Sequence, residues 1–157
     1  MKRQMWVLAA LGLMVATPAW ADREAGMKAL TDGDFPTALR ELQPLAEKGD
    51  MESQFDLATM YDSGKGVPLD PAKAFVWYER AAKQGQKAAQ FNLGVMFEDA
   101  IGVPKDLVQA YLYFTLAANG GPPYAARNQR QVRGDMTPEQ IAKAEQLVLD
   151  FKPVVEP

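Results

Sequence analysis

Neither cysteine nor histidine occurs in the 157 residues. Without cysteine there is no disulfide, no thiol nucleophile and no anchor point for a cysteine-linked lipid. With both missing there is no Cys/His zinc site and no serine hydrolase built on a histidine base. Carboxylate and lysine chemistry stay open. Excess positive charge is missing too: 17 Lys and Arg stand against 20 Asp and Glu, a formal net charge of −3. No basic field exists to hold a nucleic acid, so none is expected as a partner. What remains is 48% hydrophobic and 24% charged residues. That composition supports a packed core and opposes disorder. The length suits one domain.

Long apolar runs are scarce, and the one that stands out is N-terminal. Lys2 and Arg3 precede an apolar stretch from Met5 to about Val15, followed by Ala16-Thr17-Pro18 and Ala19-Trp20-Ala21. This order predicts a secretory signal peptide over residues 1–21, cleaved before Asp22. The stretch is roughly half of the ~20 residues that a membrane-spanning helix needs. An uncleaved N-terminal anchor is the rival reading, and the flanks favour cleavage. The expected mature chain, 22–157, loses Lys2 and Arg3, which takes the formal charge from −3 to −5. The expectation is a periplasmic or secreted protein, not a lipoprotein, with no stable membrane insertion after cleavage.

The remainder repeats. Shifting Gln54–Gly85 by thirty-six residues onto Gln90–Gly121 pairs Gln54/Gln90, Phe55/Phe91, Leu57/Leu93, Met60/Met96, Gly66/Gly102 and Val67/Val103. It also pairs Pro68/Pro104, Asp70/Asp106, Ala74/Ala110, Ala81/Ala117, Ala82/Ala118 and Gly85/Gly121. A period in this range signals a helical solenoid. Phe55, Leu57, Ala58 and Tyr61 fall at helical spacing, as do Ala74, Trp77, Tyr78 and Ala81. The Asp62–Leu69 stretch between them contains the glycines that end a helix and Pro68, which prevents it from resuming. Asp70 with Pro71 then reads as a helix start, and Asp106 with Gln109 as a variant capping box. The repeated aspartates are read as caps, not as metal or catalytic groups. Asp32-Gly33-Asp34 lacks the distal acid of a calcium loop, and the Gly66 and Gly102 loops lack the lysine of a phosphate-binding loop.

A shorter first unit surrounds Gly33-Asp34, with an inter-helix loop about four residues shorter, and Pro44 inside its second helix predicts a missing hydrogen bond and a bend. After Gly121 a helix to about Val132 is expected. A second follows Thr137-Pro138-Glu139-Gln140, with Ile141, Ala144, Val148 and Phe151 as its apolar stripe. The 110–118 segment is apolar nearly all round, so the 138–151 helix is expected to cover its open side. Pro153–Pro157 reads as a frayed end.

Gln-Phe-x-Leu-Gly-x-Met-Phe at 90–97, Gly-Val-Pro-x-Asp at 102–106 and Ala-x-x-Tyr-Phe-x-x-Ala-Ala at 110–118 resemble the Sel-1-like repeat, a relative of the tetratricopeptide repeat. Gln54–Gly85 resembles it equally. Ala58 and Ala100 depart from the pattern, which usually has glycine there. The resemblance implies an all-α fold, a right-handed α-α superhelix of about three helix pairs plus a C-terminal capping helix. The units run at about 22–49, 50–85 and 86–121, with the cap at 122–152, in one domain over 22–152. It implies a non-catalytic adaptor, often at the bacterial envelope, with no cofactor. Cysteine-rich members linked to β-lactam or peptidoglycan binding are not matched by a chain without cysteine.

The recurring aromatics, Trp77 among them, are read as core. Candidate partner-binding residues are the unrepeated ones on the first helix of each pair, which by analogy lines the concave surface. They are Asp56, Thr59, Asn92, Val95 and Glu98, with Asp62, Ser63 and Asp99 nearby. Together they predict a polar, acidic groove for an extended peptide or a basic partner segment. The alternative is an envelope carbohydrate- or peptidoglycan-binding or hydrolytic protein that uses acids such as Glu98 and Asp99. Glycosidase chemistry would need two carboxyls flanking a bond, one with a raised pKa. Self-association through Tyr124 or Phe75 and Val76 is a third possibility.

Overall fold

The computed structural model describes residues 19–154 and Glu156. The predicted signal peptide falls on residues 1–21, of which all but Ala19–Ala21 lie outside the described residues. Among the described residues eight helices follow one another: α1 Ala19–Asp32, α2 Phe35–Glu47, α3 Met51–Ser63, α4 Pro71–Lys83, α5 Lys87–Asp99, α6 Leu107–Ala118, α7 Ala125–Gly134 and α8 Pro138–Asp150. No strand occurs among the described residues. Each helix from α1 to α6 packs on the next, so the chain is an all-α solenoid of helix pairs. None of these helices is long and apolar enough to cross a membrane.

Local signals place the helix starts. Asp34, Asp70 and Asp106 each cap a helix, accepting from the backbone N–H groups of Thr37, Lys73, and Val108 with Gln109. Such a cap satisfies amides that the first turn leaves without partners, worth typically ~1 kcal/mol. Asp50 and Gln86 cap α3 and α5 in the same way. Thr137 and Gln140 form the expected reciprocal capping box at α8. Pro44 lies within α2, which continues through it to Glu47. The side chain is exposed, so water can reach the Arg40 carbonyl that loses its in-helix donor.

The loops stack as well as connect. Gly66 and Gly102 adopt positive φ, and each lies against the start of the preceding pair's second helix. A Cβ on Gly102 would come within 2.7 Å of the Pro71 carbonyl, and one on Gly66 would strike Phe35. The repeated Gly-Val-Pro therefore docks one pair on another. Only Gly33-Asp34 separates α1 from α2, whereas seven residues, 64–70, separate α3 from α4.

Three core clusters form a continuous seam. The first joins Ala29, Leu42, Leu57 and Met60; the second joins Ala58, Tyr78, Leu93 and Tyr113; the third joins Tyr111, Phe114, Val132 and Ala144. Trp77 and Tyr61 touch the first two, and Phe97 touches the last two. Gly94 lies on the fully buried ring of Phe114, where a Cβ would come within 2.5 Å. Its counterpart one repeat earlier is Ala58, in the same cluster as Tyr78.

The ending differs from the earlier pairs. Both α7 and α8 pack on α6. Ile141, Ala144, Leu147 and Val148 of α8 cover α6 as its apolar surface requires, and Phe151 is the residue at which the helix stops. The reading of Pro153–Pro157 as frayed is corrected for the residues described. Val154 donates its N–H to the Lys83 carbonyl at 2.9 Å, and Glu156 pairs with Arg80. A free helix-end carbonyl and a half-buried cation attract a segment whose residue types alone gave no reason to dock.

Candidate functional site

Two adjoining cavities open beside α3 and α5. The larger, of about 350 Å³, is lined by Leu30, Phe35, Thr59, Met60, Asp62, Ser63, Lys65 and Tyr78. The smaller, of about 170 Å³, is lined by Asp62, Tyr78, Phe91, Asn92, Val95, Met96 and Ile101. Asp62 and Tyr78 belong to both, so the two form one strip across successive helix pairs. Its lining is mixed: Leu30, Phe35, Met60, Phe91, Val95 and Ile101 supply apolar surface, and Thr59, Asp62, Ser63, Lys65 and Asn92 supply polar groups, with charges of both signs.

Tyr78 comes from α4, and its ring is 1% exposed. Its hydroxyl donates to Asp62 Oδ2 at 3.4 Å, and its oxygen faces the Asn92 amide as an acceptor. Burial, reinforced by the Asp62 carboxylate, pushes the phenol far above its ordinary value, so it stays protonated and remains a donor. Thr59 donates its hydroxyl to the Asp56 carbonyl at 2.7 Å, and Ser63 donates to the Thr59 carbonyl at 2.7 Å. Both hydroxyls keep acceptor capacity.

The structure brings Thr59, Asn92 and Val95 to this strip. Glu98 lines neither cavity. It is half-buried, and Gln131 donates to its Oε1 at 3.4 Å. Burial, with Asp99 beside it, raises the Glu98 carboxyl above its ordinary value. Asp56 is 9% exposed and has no hydrogen-bond partner for Oδ2 among the described residues. Burial lifts its pKa to about 6; Arg23 opposes the shift, and Glu52 and Asp50 add to it. The Tyr78 ring lies in the core, as its recurring aromatic position implies. Asp62, at the end of the same helix as Thr59, was the available sign that the strip carries a charged group. No group of three or more His, Cys, Asp or Glu residues could hold a metal ion among the described residues.

Two buried glutamines brace the structure beneath. Gln54 and Gln90 are fully buried, and each donates to a carbonyl at the end of the helix before the preceding turn, Ala46 and Ala82, at 3.1 and 3.0 Å. These carbonyls belong to the last helical turns, which lack in-helix donors.

A family model described as the Sel1 repeat matches residues 52–86 and 87–122. A solved Sel1 repeat protein from Oxalobacter formigenes is 36% identical, with a TM-score of 0.66, over 72% of this chain and 88% of that one. A protective antigen present in uropathogenic Escherichia coli strains, displaying an SLR fold, is 29% identical with a TM-score of 0.79. That match covers 89% of this chain but only 31% of the antigen, so the chain spans about a third of its length. No curated protein matches significantly.

Proposed function

The chain belongs to the Sel1 repeat family, and from that membership we propose a non-catalytic adaptor that holds an extended segment of a partner protein along the strip shared by Thr59, Asp62, Tyr78, Asn92 and Val95. The observation that carries the reading is the sharing of Asp62 and Tyr78 by two cavities on successive helix pairs. A peptide lying across the pairs would contact both cavities. It would find the Asp62 carboxylate, held by the buried Tyr78 hydroxyl, and the Asn92 amide between them. Asp62 favours a segment with a basic or N–H-rich group, and Glu98 sits further along α5 to extend that preference. The N-terminal residues support export to the periplasm or outside the cell. The antigen status of the similar Escherichia coli protein fits an exposed location.

A photo-crosslinking residue at Asn92, introduced into the chain in a bacterial envelope, tests this. The expected product is one dominant adduct with a partner protein, identified by mass spectrometry and lost on Asp62→Lys. Val76, which is 52% exposed on α4, is the control position. Equal adducts from Asn92 and Val76, or adducts indifferent to Asp62→Lys, would count against the strip. N-terminal sequencing of the exported chain should begin at Asp22.

A further inference from the structure

We propose that the edge where α2 turns into α3 and α4 turns into α5 is a second binding site, for an extended peptide that carries a carboxylate side chain, and that the chain's own C-terminal segment occupies it. The segment leaves α8 after Asp150 and crosses two equivalent turns. Pro153 lies against Gly85. Val154 donates its N–H to the Lys83 carbonyl, one of those that α4 leaves without an in-helix donor. Glu156 then lies against Gly49, where φ is 97° and a Cβ would come within 2.8 Å of the Glu156 Cβ.

The carboxylate seat is built from buried and braced groups. Arg80 donates to Glu156 through Nε at 3.1 Å and Nη2 at 2.5 Å, and Gln54 Nε2 donates at 2.9 Å. Gln54 is fully buried, and its amide oxygen accepts from Gln84, which also donates to the Gly49 carbonyl. The Arg80 guanidinium rests 4.8 Å above the Trp77 ring, which limits its freedom. Charge-assisted forks of this kind are the stronger hydrogen bonds, and their planar geometry selects carboxylates. The Arg80 fork holds the Glu156 carboxyl below its ordinary value, against a smaller opposing effect of burial.

The next turn along the solenoid is built otherwise. There the residue thirty-six beyond Arg80 is Leu116, and the Lys87 ammonium donates to Gln90 Oε1 and to the Leu116 carbonyl. The carboxylate seat is thus not a general feature of the repeat. It also lies apart from the Tyr78 strip and stands independently of the function proposed there. Recognition uses a backbone hydrogen bond, a proline contact and a carboxylate fork. None of these requires the ligand to be covalently attached. A tether only raises the local concentration, to about millimolar for a short linker.

A synthetic peptide with the sequence of residues 152–157 is titrated into the full chain, wild type and Glu156→Lys, while the Gly49 and Gly85 amide signals are followed by NMR. Glu156→Lys sets a cation against Arg80, so both signals should move before peptide is added. The peptide should then draw them back toward their wild-type positions. The wild-type chain should need about tenfold more peptide to respond, because its own segment competes. Adding Arg80→Ala to Glu156→Lys, or replacing the peptide glutamate by glutamine, should weaken the response by about tenfold. Signals that Glu156→Lys leaves in place would show that the segment does not occupy the edge. Signals that move but do not return with peptide, or that return equally without Arg80, would show that the edge is not a carboxylate-selective site.

Discussion

Burial of Asp56 makes the stability of this protein depend on pH. Its side chain faces Arg23 of α1 and lies near the carboxylates of Asp50 and Glu52. The folded chain holds its proton to about pH 6, against an ordinary value of 3.8. The folded state therefore binds the proton more tightly than the unfolded one. The stabilisation from this is fully present below the unfolded value and is lost as pH rises through about 6. The difference is on the order of 1–3 kcal/mol. Asp56→Asn keeps the shape and removes the charge. Thermal melting should show the variant above the wild type at about pH 7.5, with the gap closing toward about pH 4. A gap of constant size across that range would show that charge burial is not its cause. Helical spacing put Asp56 on the same helix as Thr59, off the repeated apolar set. Nothing in the spacing could reveal that α1 would cover it.

The connection from α5 to α6 holds two neighbouring positions with opposite demands. Ala100 ends α5 with φ 58°, where its counterpart in α3 is Gly64 with φ 67°. A left-handed alanine costs roughly 1–2 kcal/mol, of which glycine returns part as greater freedom of the unfolded chain. Ala100→Gly should therefore stabilise by about 0.5–1 kcal/mol. Gly102→Ala combines positive φ with a clash against the Pro71 backbone and should cost at least about 2 kcal/mol. Urea unfolding of both variants would check the opposite signs, and a loss of stability in both would refute the account of Ala100. Glycine and aspartate positions in this loop were readable from the sequence because each acts through its own backbone or the next three residues. The glutamines were not. Gln54 and Gln90 stood out only as identities, since their partners, the Ala46 and Ala82 carbonyls, are eight residues away across a turn.

The molecule as a whole is held by its end as much as by its repeats. Val108, Tyr111 and Phe114 of α6 are buried, and α8 supplies their outer cover through Ile141, Ala144, Leu147 and Val148. Deleting residues 138–157 should expose this surface and free Arg80. Light scattering should then detect aggregation, and melting should fall sharply or disappear; a monomer with unchanged melting would contradict this role of α8. Helix number, caps, turns and the apolar seam followed from local chemistry, because a period of thirty-six residues forces the same short-range contacts to recur. Where helices meet followed only from packing in three dimensions. That is what buried Asp56, joined Asp62 and Tyr78 into one strip and laid Glu156 on Arg80, 76 residues away. Contacts at such separation depend on how much each helix pair is rotated against the next, a quantity that no local pattern of residues encodes.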